Sequence, residues 1–273
     1  MKYLALGDSY TVGEGVPAEG RWAAVMARGL RAEGIELGDP RVIAKTGWTT
    51  DDLCAAIDSE EPLGRFDFVT LLIGVNNQYR GRSVAEYRGE FGELLRRAVG
   101  FAGGDPGRVL VLSIPDWGVT PFAAEQGREV AEVAAAIDAF NREAGTVANR
   151  HGVPFVDITA ASREFGARDD MLVADRLHPS SAMHALWAGA ILPVARAAGV
   201  VPRRAGARVR APAEPRRAAD PGASGIARAG ARAVAAGAAG VRPRARAGGG
   251  GGARGDRDGD GRRCCRHRHS AHR

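Results

Sequence analysis

The sequence predicts an α/β fold over residues 1–200, a parallel sheet flanked by helices, and no packed core over residues 201–273. Three observations support this. Short aliphatic runs alternate with amphipathic stretches as far as Val200. Each run is bounded by Gly, Pro or Asp, as in strands buried on both faces. Beyond Val200 the composition collapses to Ala, Arg, Gly and Pro, with almost no large apolar side chain.

The strands are expected at residues 2–6, 41–45, 67–73, 108–113 and 153–157. Between them the clearest helix is expected from Ser83 to about residue 99. Ser83 and Glu86 form an S-x-x-E capping box there, and Val84, Tyr87, Phe91, Leu94 and Leu95 share one face. A second helix is expected over about residues 128–149, with Val133, Ile137, Phe140, Ala144 and Val147 as its apolar stripe. A third follows Pro179, carries Met183, Leu186, Trp187 and Ile191, and is expected to end near Pro193. Stripes at this spacing are core and carry no functional reading.

Charge is divided unevenly. Residues 201–273 hold 18 Arg, no Lys and 5 acids, which leaves 20 basic and 27 acidic residues in the first 200. The net charge of +6 therefore describes neither part: the body is mildly acidic and gives no support to a polyanionic substrate. A 200-residue body buries about 70% of its unfolded surface, so it needs no disulfide or metal staple. Cys54 is alone in the body, and Cys264 and Cys265 are adjacent in the tail, which is neither a disulfide framework nor a zinc spacing. The apolar run from Tyr3 to Leu6 is too short for a signal peptide, so a cytoplasmic protein without a transmembrane segment is expected.

In an open parallel sheet the functional groups collect past the carboxyl ends of the strands. Four such loops carry Gly7-Asp8-Ser9-Tyr10, Thr46-Gly47-Trp48-Thr49-Thr50, Gly74-Val75-Asn76-Asn77 and Asp175-Arg176-Leu177-His178-Pro179. Acyl transfer to water needs a nucleophile, a base, a group that orients the base, and donors for the oxyanion. Ser9 offers the hydroxyl, His178 the base, and Asp175, three residues earlier, an acceptor for Nδ1–H that leaves Nε2 free for Ser9. The backbone amides of Ser9 and Gly47 and the side-chain amide of Asn76 would make a three-donor oxyanion hole.

GDS at 7–9, Gly47, GVNN at 74–77 and DRLHP at 175–179 resemble, in order, the motif blocks of the SGNH (GDSL) hydrolase family, and the stretches AKTGWTTDDL, LLIGVNNQYRGRS and VLSIPDWGVTPFA resemble bacterial GDSL-type esterases. The resemblance implies a flavodoxin-like three-layer sandwich, no cofactor, and Ser9, Gly47, Asn76 and His178 as the four name-giving residues. It implies hydrolysis of a small carboxylic ester, without fixing the ester or excluding transfer to another acceptor. Tyr10 stands where the family usually has Leu, and Asn77 where it often has Asp. Both departures are expected to touch substrate shape more than mechanism. No GxSxG surrounds Ser9, which separates the chain from α/β-hydrolases of that type.

Other readings compete. GDS alone is an ordinary turn and cap. Asp8 could be a cap or a supporting group, Asn76 could cap its own turn, and Asn77 suits that role. His151 and His184 are expected to be exposed structural residues. A metal site from Asp175, His178 and His184 lacks a well-spaced further ligand. Trp48, Tyr79, Trp117 and Phe122 either line an acyl pocket or cover the core. A nucleotide-binding protein would leave His178 and Asn76 unexplained and lacks GK[ST] or GxGxxG, and a non-catalytic binding module has no use for Ser9, His178 and Asp175 together. The tail is expected to be disordered, with no specific nucleic-acid partner. It has no Phe, Tyr or Trp, and its composition is what GC-rich codons supply when read out of frame, the origin favoured here over an Arg-rich binding arm. Oligomeric state leaves no mark in the sequence.

Overall fold

The computed structural model describes residues 1–198. The tail expected from residue 201 onward lies outside the described residues.

Five strands form one parallel sheet: β1 (Tyr3–Gly7), β2 (Pro40–Ala44), β3 (Phe68–Leu72), β4 (Val109–Leu112) and β5 (Phe155–Val156), in the order β2-β1-β3-β4-β5. Registers run from Tyr3 opposite Pro40 and Phe68 to Leu112 opposite Val156. All five expected strands are present, within two residues of their expected limits. The central strands β1, β3 and β4 are buried along their whole length, which is why they read as continuous aliphatic runs. One polar group inside them, Thr70, meets the Tyr3 hydroxyl at 3.0 Å.

The helices are α1 (Ser9–Val12), α2 (Trp22–Ala32), α3 (Thr50–Glu60), α4 (Val75–Tyr79), α5 (Val84–Phe101), α6 (Pro121–Glu125), α7 (Val130–Arg150), α8 (Thr159–Phe165) and α9 (Ser181–Ala197). The chain leaves β1 toward one edge at β2 and then crosses back to β3, β4 and β5. Right-handed crossovers therefore place α2 on one face and α3, α5 and α7 on the other. Packing agrees: α2 lies on α9, and α5 lies between α3 and α7. This is the three-layer, flavodoxin-like arrangement. The reversal of strand order between β1 and β3 opens a crevice past their carboxyl ends, where sites form in such sheets.

The capping box of α5 is present, with Glu86 N–H donating to Ser83 Oγ at 3.2 Å and Ser83 N–H to Glu86 Oε2 at 3.3 Å. The last helix departs from expectation, since α9 passes through Pro193 and ends four residues later. Proline removes one N–H and crowds the carbonyl four residues back. Here that carbonyl belongs to Gly189, and both residues are exposed, while Ile191 and Ala195 are buried and hold the helix down.

Candidate active site

Ser9, Gly47 and Asn76 sit just past β1, β2 and β3. Asp175 and His178, expected past a strand as well, lie in the loop that leads from Met171 into α9, because among the described residues the last strand, β5, is followed by α8 before that loop begins. Ser9 is the first residue of α1, with Asp8 as the cap: Asp8 Oδ1 accepts from Tyr10 N–H at 3.0 Å. Gly47 lies in the loop after β2 with φ of +85°, a left-handed conformation that glycine adopts without strain. Arg80 Nη2 donates to the Gly47 carbonyl at 2.6 Å and anchors that loop. Asn76 opens the turn after β3, and one of its two side-chain N–H groups goes to the Trp48 carbonyl at 2.9 Å. Among the described residues the backbone N–H groups of Ser9 and Gly47 find no acceptor.

The fourth loop folds back on itself. Leu172 pairs with Pro179, Val173 N–H donates to the His178 carbonyl at 2.9 Å, and Arg176 takes φ of 59° at the tip. That tight turn brings Asp175 under His178. Asp175 Oδ1 accepts from the N–H groups of Leu177 and His178, each at 2.9 Å, and Oδ2 meets His178 Nδ1 at 2.6 Å. Burial alone would raise the Asp175 carboxyl. The hydrogen bonds from the His178 ring and the two backbone N–H groups outweigh it and hold the carboxyl below the ordinary carboxylate value.

Ser9, Gly47, Asn76 and His178 together line one cavity of about 210 Å³. Its apolar wall is Val75, Tyr79, Trp117, Phe122 and Leu177. The Tyr79 and Trp117 rings meet edge to face at 5.2 Å, and Trp117 Nε1–H is fixed by Gln78 Oε1 at 2.8 Å. Three of the four aromatics singled out in the sequence thus line the cavity. Trp48 does not, and contributes its carbonyl to Asn76 instead. No hydrogen bond joins Ser9 Oγ to His178 Nε2 in this conformation, and such bonds commonly tighten only when substrate arrives.

The remaining polar residues divide differently from expectation. Tyr10 lines the cavity, its ring 5.8 Å from that of His178. Asn77 is fully buried and braces another element: its Oδ1 accepts from Thr50 N–H at 3.1 Å and its Nδ2 donates to Thr50 Oγ1 at 2.6 Å, pinning the start of α3 behind the Gly47 loop. It neither caps its own turn nor shapes the cavity. His184, expected at the surface, is fully buried because the α9 face that carries it packs on α2, where Nδ1 accepts from Trp22 N–H at 3.1 Å. Burial, with the charge of Arg21, lowers its pKa to about 3, so it stays neutral. His151 is exposed, as expected. Among the described residues no cluster of three His, Cys, Asp or Glu side chains could hold a metal ion, and no helix is long and apolar enough to cross a membrane.

Asp8 is the residue whose state the sequence concealed. It is fully buried, and its Oδ2 has no hydrogen-bond partner among the described residues. Burial pushes its carboxyl up to about 7, against the pull of the bond from Tyr10 N–H.

A parallel three-layer sheet whose carboxyl edge carries a cavity lined by a serine and a carboxylate-bound imidazole is an arrangement compatible with a hydrolase. Residues 5–186 match the GDSL-like lipase/acylhydrolase family, and the chain belongs to that family. No curated protein sequence matches it. Among solved structures it is similar to the lipase/acylhydrolase from Enterococcus faecalis, at 22% identity over 73% of this chain and 96% of that one, with a TM-score of 0.53. It is also similar to the acetylxylan esterase Axe2 from Geobacillus stearothermophilus, at 25% identity over 71% and 93% with a TM-score of 0.55. A third is phospholipase A1 from Streptomyces albidoflavus NA297, at 22% identity over 72% and 98% with a TM-score of 0.54.

Proposed function

We propose that the chain hydrolyses a small carboxylic ester through an acyl-enzyme, with Ser9 as nucleophile, His178 as base and Asp175 as the group that orients it. The observation that carries this reading is one cavity lined by both Ser9 and His178, with His178 Nδ1 already held by Asp175 at 2.6 Å. That bond fixes the tautomer that presents Nε2 as a proton acceptor. Ser9 Oγ attacks the ester carbonyl as its proton passes to His178 Nε2. The oxygen that gains charge is held by the N–H groups of Ser9 and Gly47 and the second side-chain N–H of Asn76. His178 then protonates the leaving alkoxide, and water repeats the sequence on the acyl-Ser9.

The apolar wall suits a short acyl chain or an aryl group, and the acetylxylan esterase at 25% identity is consistent with a small acyl group. Residues 1–200 act as the hydrolase domain, and the tail takes no part in the chemistry. A fluorophosphonate probe tests the reading, because it attaches only to an activated serine. Mass spectrometry should place the single adduct on Ser9, and the label should disappear in His178→Ala. An adduct elsewhere, or labelling that survives loss of His178, would reject it.

A further inference from the structure

We propose a second binding site, remote from Ser9, that takes the phosphate group of a small phosphorylated organic molecule. It is a cavity of about 460 Å³ between α2 and the edge strand β2. Positions 21, 24, 28 and 31 fall on one face of α2 and its cap, so Arg21, Arg28 and Arg31 stand in a row along the wall with small Ala24 between them. Ala18, Pro40 and Val42 form an apolar floor, and Glu19 and Asp39 also line the cavity.

The three guanidinium groups are held in place. Arg21 Nε donates to the Val16 carbonyl at 3.1 Å, Arg28 Nη1 to the Glu19 carbonyl at 2.6 Å, and Arg31 Nη1 to the Leu37 carbonyl at 2.6 Å. Each bond fixes one edge of a planar fork and leaves further N–H groups free, which is the preorganisation that recognises phosphate oxygens in pairs. Arginine elsewhere in the body commonly meets a carboxylate, as Arg41, Arg82, Arg97 and Arg163 do. Arg31 has Asp39 at 3.1 Å, but Arg21 and Arg28 have no carboxylate within ion-pair distance among the described residues. Three guanidinium groups against the carboxylates of Glu19 and Asp39 leave the lining of this cavity with a net positive charge, two of its cations being free of an ion pair among the described residues. The volume far exceeds that of a lone anion, since a water occupies about 30 Å³ of liquid. The apolar floor accounts for the rest of the ligand: an uncharged organic body attached to the phosphate.

Calorimetric titration of the full chain with phenyl phosphate and with inorganic phosphate tests the site. Phenyl phosphate should bind saturably at one site and more tightly than inorganic phosphate. The double variant Arg21→Gln/Arg28→Gln should lose at least about tenfold in affinity, which equals about 1.4 kcal/mol. Ala24→Leu, which keeps every charge and fills the cavity, should lose a similar amount. Both variants should unfold at the temperature of the parent, which separates a lost site from a lost fold. The tail's 18 arginines and the Ser9 cavity are common to all three proteins, so equal binding by parent and variants places the anion at one of those instead and overturns the proposal. Absence of binding to the parent overturns it as well, and binding that survives Ala24→Leu removes the cavity from it.

Discussion

An Asp8→Asn variant should match the parent protein in stability at pH 4 and be markedly more stable at pH 8. Asp8 is fully buried with Oδ2 unpartnered among the described residues, and burial raises its carboxyl from 3.8 to about 7. Between those values the folded protein keeps a proton that the unfolded chain has released. Stability therefore falls as pH rises through this window and levels off once pH passes the folded value. About three pH units at about 1.4 kcal/mol each amount to a loss of roughly 4 kcal/mol. Asn keeps the shape of the side chain and can still accept from Tyr10 N–H through Oδ1, so the cap of α1 survives while no charge has to be buried. Urea unfolding of both proteins at pH 4, 6 and 8 measures the effect as a difference. The subtraction cancels carboxyls shifted the other way, such as Asp51 and Asp175, whose contribution is lost as pH falls through their lowered values. Stability curves that run parallel from pH 4 to 8 would refute the reasoning, because Asp8 would then ionise alike in the folded and unfolded protein.

Asn76→Ala should lower kcat by about 10²–10³ with little change in KM, as expected for loss of one oxyanion donor, in steady-state assays on a p-nitrophenyl ester. It should also cost about 1 kcal/mol of stability through the bond to the Trp48 carbonyl. Gly74→Ala should be far more disruptive to the fold. Gly74 has φ of +134°, and a Cβ there would lie 2.7 Å from Cε2 of the buried Tyr87, whose hydroxyl is tied to the Ile73 carbonyl. Overpacking and backbone strain together cost roughly 3 kcal/mol, so calorimetry should show Tm lower by roughly 6–12 °C.

The strands, the helices with an amphipathic stripe and all four site loops were legible because each is written in local spacing. Ser9, Gly47 and Asn76 lie in short motifs at strand ends, and the Asp175–His178 pair lies in a short motif before α9 whose Asp175 to His178 bond spans only three residues. What spacing does not encode is contact across the fold. Asn77 bonds Thr50 from 27 residues away, and His184 is buried by Trp22 from 162 residues away. Gln78 reaches Trp117 over 39 residues, and nothing local marks it as a support for the cavity wall. The proline rule that would end α9 at Pro193 is overridden by Ile191 and Ala195, which anchor the helix on either side. Asp8 reads as a cap from sequence, and it is one. Its raised pKa follows from packing that only the assembled sheet supplies.

The most direct test of the account is nitrophenol release from a short-chain p-nitrophenyl ester by the full chain beside its Ser9→Ala variant. Turnover by the parent that vanishes in Ser9→Ala is the predicted result. Equal turnover by both proteins, or none by a folded parent across short acyl and aryl esters, would contradict it.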